Sequence, residues 1–151
     1  MFTLPPKVLV VHWPRRDDRR LDRVLLPHTP EHLSAVQLPV DFDPKAKCPN
    51  LELFVDQIFP PDAHLLAWEI VAWLMLPNVG IQRAVLLVGE GANGKSTWLN
   101  VVIVFLGKSN VASVSLHKLE CDKFAAARLI GKLANVCPDL PSTHLQSTRR
   151  R

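Results

Sequence analysis

The stretch AVLLVGEGANGKSTWLNVVIVFLG, residues 84–107, decides how the rest of the chain is read. Ala84 to Val88 is a continuous apolar run closed by Gly89, the pattern of a strand covered on both faces. From Thr97 to Leu106 the chain reads as a helix closed by Gly107, in spite of the β-branched Val101 to Val104. Between these two elements Gly89, four further residues, and then Gly94, Lys95 and Ser96 meet the phosphate-binding loop pattern without a mismatch. The chemistry needs these residue types at this spacing. Glycines at 89, 91 and 94 are expected to take positive φ and let amide N–H groups curl around phosphates, with the positive end of the following helix aimed at them. Lys95 would place a point charge on the β and γ phosphates, and the Ser96 hydroxyl would ligate magnesium.

Downstream, Val111 to Leu116 reads as a strand, about Glu120 to Ile130 as a helix followed by Gly131, and KLANVC (132–137) as another apolar run. Strand, helix, strand, helix, strand predicts an α/β fold with a parallel sheet. A phosphate loop works with a carboxylate at the end of a neighbouring strand, and Asp139, two residues past the last apolar run, is the candidate. An ordinary loop aspartate is the alternative reading of Asp139. Pro138 stands where a second, water-polarising acid is common, so Asp139 would serve magnesium, the water, or both, and spacing does not choose between them.

Upstream, NLELFVDQIF (50–59) reads as a short helix and PPDAHLLAWEIVAWLML (60–76) as a longer one, with Asp62 as N-cap and Pro77 just past its end. Leu65, Leu66, Trp68, Ile70, Trp73 and Leu74 cover more than one face, which predicts burial on several sides and places both tryptophans in the core. Ten of the 13 prolines lie within residues 1–61, and all 6 glycines lie within residues 80–131. That shift divides the chain near residues 60–80. Before it, Lys7 to His12 is a possible strand, RRDDRRLDR (15–23) is a charge run, and the Pro-punctuated remainder reads as irregular. The run could touch nucleic-acid phosphates, but its aspartates halve the charge and its i to i+3 pairs suit a solvated face. His28 and His32 are separated by Pro30, which argues against a helix presenting both to a metal.

The composition bounds the function classes. With 151 residues, 48% of them apolar, the chain is long enough for one domain with its own core. A net charge of +4 favours anionic partners without identifying any. Cys48, Cys121 and Cys137 form no C-x-x-C pair, so neither a disulfide framework nor a four-ligand zinc site is indicated, and reduced thiols in a cytosolic chain are expected. The apolar stretch Leu65 to Leu76 contains Glu69 and falls well short of the roughly 20 residues that cross a bilayer. The N-terminus lacks the charge order and cleavage site of a signal peptide.

Three stretches together, LPVDFDPKAKCPNLELFVDQIF, LLVGEGANGKSTWLNVV and VSLHKLECDKFAAARLIGKLANVCPDLPS, resemble the phage and plasmid primase-helicases, whose motor is a superfamily 3 helicase. The resemblance runs from about Leu38 onward. It implies an AAA+-like P-loop NTPase with a partial parallel sheet, residues 81–151, preceded by a small helical domain, 38–80, and an irregular N-terminal segment, 1–37. It implies a Walker A motif formed by Gly89, Glu90, Gly91, Ala92, Asn93, Gly94, Lys95, Ser96 and Thr97, with Asp139 as the Walker B acid. Lys95 and Asp139 would carry catalysis, Ser96 and Asp139 would hold Mg2+, and ATP would drive movement along single-stranded or forked DNA. Subunits would assemble in a ring, usually a hexamer, in the cytoplasm of a bacterial host during phage or plasmid replication.

Such motors continue beyond Walker B to a sensor asparagine and an arginine finger, and this sequence ends twelve residues after Asp139. Arg149 to Arg151 read as a solvated tail rather than a finger. The expectation is therefore a truncated motor that binds ATP, with turnover left open for want of the arginine that supports in-line attack. The rival from another class is a nucleotide- or DNA-binding prophage remnant without catalysis. A small-molecule kinase is a third reading, disfavoured by the flanking stretches and by the absence of an evident acceptor pocket or lid.

Overall fold

A computed structural model describes residues 7–11, 23–27, 36–76 and 83–137. Three helices build the core that carries the glycine-rich loop. Helix α1, Pro49–Ile58, begins with proline at its first position, where a missing N–H costs nothing, and has Glu52 in its first turn. Phe59 leaves the helix in extended conformation, as a residue before proline must, and Pro60 and Pro61 prevent continuation. The chain then makes a 3-10 turn, Pro61–Ala63, and enters helix α2, His64–Leu74. Asp62 was the expected N-cap of this helix. It lies instead inside the 3-10 turn, because Pro61 starts that turn one residue earlier, and Ala63 occupies the cap position without a side-chain bond.

Burial of α2 also departs from expectation. Ala67 and Ile70 are buried, and with Val71 and Leu74 they form one stripe at i, i+3, i+4 and i+7 facing the core. Leu65, Leu66 and Trp68 are exposed, so the helix is covered on one side only and Trp68 is no core residue. The core tryptophan is Trp98, 4% exposed, on helix α3, Lys95–Leu106. Its ring meets Phe59 edge to face at 5.4 Å between centroids. Val55 of α1, Ala67 and Ile70 of α2, and Trp98, Val102 and Leu106 of α3 form the principal core, with Leu38, Leu87 and Leu133 packed against it.

The predicted strand Ala84 to Val88 carries no regular secondary structure, and neither sheet of the described residues includes it. Leu87 reaches the core, while Val85, Leu86 and Val88 are 46%, 64% and 83% exposed. An apolar run is a local signal, but a strand exists only through a ladder with a neighbour. The two central strands that do form, β3 (Val111–Ala112) and β4 (Ala134–Asn135), pair with each other in parallel, Val111 opposite Ala134 and Ala112 opposite Asn135. The helix expected from about Glu120 to Ile130 is displaced. Ser115 accepts a bond from the Lys118 N–H and starts helix α4, Leu116–Cys121, which cuts the expected strand 111–116 short. After Asp122 only a 3-10 turn, Ala125–Leu129, remains. Ala112, Val114 and Ala125 make a second small core there.

The short β3–β4 ladder is prolonged by a side chain. The Asn135 Oδ1 accepts from the Val114 N–H at 2.8 Å, and its Nδ2 donates to the Val114 carbonyl at 2.9 Å, doing for a buried residue what a further strand residue would do. Asn135→Ala is expected to lower unfolding free energy by about 1–3 kcal/mol in a denaturant titration, because two backbone groups lose their partners. At the other end Asn110, itself buried, donates to the carbonyls of Leu106 and Gln37, tying the segment before α1 to the end of α3.

Nearer the N-terminus, strand β1 (Lys7–Val11) pairs antiparallel with β2 (Arg23–Pro27), Lys7 opposite Pro27 and Val11 opposite Arg23. The second of these strands lies in a segment expected to be irregular: RVLLP is a five-residue run that the adjoining charges and Pro27 disguise in sequence. Asp139, His28, His32, Arg149 to Arg151 and most of the charge run lie outside the described residues. Among the described residues no helix is long and apolar enough to cross a membrane.

Candidate functional site

The loop between Val88 and α3 is exposed through Asn93 and is held from below by α1. Gly94 is the cap residue of α3, with φ +83, a conformation that costs side-chain-bearing residues about 1–2 kcal/mol. It also has no room for a side chain. A Cβ there would lie 2.7 Å from Ile58 Cγ2 and 3.6 Å from Phe54 Cε2, both on α1. The first intrahelical bond of α3, Trp98 N–H to the Gly94 carbonyl, is 2.9 Å. With glycine at the cap and no side chain accepting there, the start of α3 offers backbone donors at the positive end of a twelve-residue helix.

Of the three glycines expected to take positive φ, only Gly94 does so. The second left-handed position belongs to Ala92, φ 57, the one non-glycine residue in that region among those described. Gly89 serves differently: a Cβ there would stand 2.5 Å from Asn93 Nδ2 and 3.4 Å from Lys95 Nζ, so its missing side chain makes space for those two. Gly91 has nothing within 4 Å of such an atom. Ala92→Gly is expected to raise unfolding free energy by up to about 1 kcal/mol, since relief of the left-handed strain outweighs the added chain entropy. Thermal denaturation of the variant against the parent measures it.

Lys95, at the first position of α3, folds back over the loop. Its Nζ donates to the carbonyls of Gly89 at 2.9 Å and Glu90 at 2.7 Å and to Asn93 Oδ1 at 2.6 Å. The ammonium therefore sits over the loop's own backbone, where a phosphate chain cradled by that loop would meet it. Ser96 and Thr97 follow on the exposed side of the first turn. The structure thus brings Gly89, Glu90, Gly91, Ala92, Asn93, Gly94, Lys95, Ser96 and Thr97 into one turn, while Asp139 falls two residues past the described Cys137.

Two parts of the site were not read from sequence. One is the α1 wall, Phe54 and Ile58, which an i to i+4 apolar pair signals only as a helix face. The other is the bond from Lys95 to Asn93. Around the turn below the loop, His64 bridges α1 and α2, its Nε2 2.8 Å from the Phe59 carbonyl and its Nδ1 3.1 Å from Asp56 Oδ1.

A family model described as a family of unknown function (DUF5906) matches residues 87–150, from the end of the apolar run through the loop, α3, β3, α4 and β4. No curated protein and no solved structure matches the chain.

Proposed function

We propose that the chain binds Mg-ATP through residues 89–97 and belongs to a superfamily 3 type DNA helicase motor. The observation that carries the reading is the position of the Lys95 ammonium, drawn back onto the Gly89 and Glu90 carbonyls by a loop whose sequence is a complete phosphate-binding pattern. The residues present suit a triphosphate. Gly94 and Ala92 curl the backbone with two left-handed residues, Gly89 keeps the rim free of side-chain bulk, and α3 begins directly behind.

In this reading Lys95 takes the β and γ oxygens, and Ser96 and Asp139 hold magnesium, which would neutralise phosphate charge when bound. The primase-helicase resemblance extends the proposal to single-stranded or forked DNA as the track, to copies of the chain associating in a ring, and to replication in the cytoplasm of a bacterial host. The net charge of +4 is compatible with an anionic track and selects no particular one.

Titration calorimetry of the chain with Mg-ATP tests the nucleotide site, and saturable one-site binding is expected. No heat and no competition with a fluorescent ATP analogue would contradict it. ATPase measured with and without single-stranded DNA separates the two classes of reading: DNA-stimulated turnover is the signature of a motor, and binding without turnover that of a nucleotide-binding remnant.

A further inference from the structure

The Lys95 ammonium has three N–H donors and no acceptor, and all three are committed within the loop. Two go to main-chain carbonyls, which move only if the loop backbone moves. The third and shortest, 2.6 Å, goes to Asn93 Oδ1, on an exposed side chain that can swing away by rotation about its own bonds. Because an ammonium can only donate, it also settles which end of the Asn93 amide faces it: the oxygen. The amide nitrogen then lies over Gly89, in the space that a Cβ on that residue would occupy.

A phosphate oxygen arriving at Lys95 needs one of these donors. We propose that Asn93 is a placeholder at the phosphate site, its Oδ1 standing in for a phosphate oxygen of a nucleoside triphosphate and giving way when the triphosphate enters. Asn93 is thus a positioning residue: it holds the ammonium over the loop in the free protein and sets affinity by the bond that must be exchanged. This rests on the nucleotide-site reading above. An acceptor of the same kind with a full negative charge would hold the ammonium more firmly and repel the incoming phosphates, whereas no acceptor would leave a donor ready for them.

The test uses Asn93→Ala and Asn93→Asp in the full chain, with Mg-ATP titrated by calorimetry and the lysine ammonium followed by 15N NMR. Asn93→Ala is expected to bind Mg-ATP about tenfold more tightly than the parent and Asn93→Asp about tenfold more weakly, in line with one charge-assisted bond removed or strengthened. The opposite signs matter, because a substitution that merely damaged the loop would weaken both. In the ligand-free protein the Lys95 ammonium resonance is expected to move in Asn93→Ala, and in the parent to move on adding Mg-ATP. Parent binding that Asn93→Ala leaves unchanged or weakens, or an ammonium resonance indifferent to that substitution, overturns the placeholder alone. A parent that binds no Mg-ATP overturns the nucleotide site and the placeholder with it.

Discussion

Lys95→Ala is expected to weaken Mg-ATP binding by between about tenfold and a hundredfold, the equivalent of one or more hydrogen bonds from a charged donor to phosphate. The expectation follows from placement. The ammonium is carried on the first residue of α3 and folded onto the loop carbonyls, so it presents its charge where the loop would hold a phosphate chain. Stability should change little. The three bonds that Lys95 makes are all to exposed loop atoms, and alanine is a better helix former at the start of α3. Lys95→Met, which keeps the length of the side chain and removes its charge, should fall with Lys95→Ala. Equal affinity in parent, Lys95→Ala and Lys95→Met by calorimetry would mean that nucleotide, if bound, is bound elsewhere.

The parts of this site that could be read in sequence are those set by neighbours a few residues away. Helix α3 is bounded by glycines at 94 and 107 that take left-handed or related conformations with φ +83 and +86, and such punctuation is local. The spans of α1 and α2 follow from Pro49, from Pro60 and Pro61, and from their apolar spacing. What failed was what depends on the rest of the molecule. Ala84 to Val88 reads as a strand, but a ladder is a property of two segments, and β3 and β4 take each other. The apolar wealth of α2 suggested burial all round, yet the two helices it meets use one stripe and leave Leu65 and Trp68 in solvent. Ser115 went unread as a cap because Val111 to Leu116 looked like one strand, although serine followed by a helical turn competes with a strand for the same residues. Ala92 could not have been found at all: nothing in an alanine announces positive φ, and only the closed loop around it makes the residue adopt one.

Gly94→Ala should have the largest effect on stability, and its origin can be divided experimentally. Alanine at φ +83 costs about 1–2 kcal/mol from backbone sterics alone. Its methyl group would also stand 2.7 Å from Ile58 Cγ2, and forcing a carbon into a packed contact of that kind costs about 1–3 kcal/mol more. A loss of about 2–5 kcal/mol is therefore expected in denaturant unfolding, the sum of those two contributions. Because the wall belongs to α1, the two contributions respond differently to Ile58→Ala. In that background the 2.7 Å clash is gone and the methyl group keeps only ordinary contacts at 3.6 Å, with the Cβ of residue 58 and with Phe54 Cε2. Gly94→Ala should then cost only the backbone part, and the double-mutant cycle should show a favourable coupling of about 1–3 kcal/mol. The same cycle read in Mg-ATP affinity reports on the loop itself. If Ile58 holds Gly94 at the height where α3 begins, Gly94→Ala weakens binding more in the parent than in Ile58→Ala, since only in the parent must the loop rise to admit the methyl group. An identical loss of stability in both backgrounds would show that α1 is not the wall against which the glycine-rich turn is built.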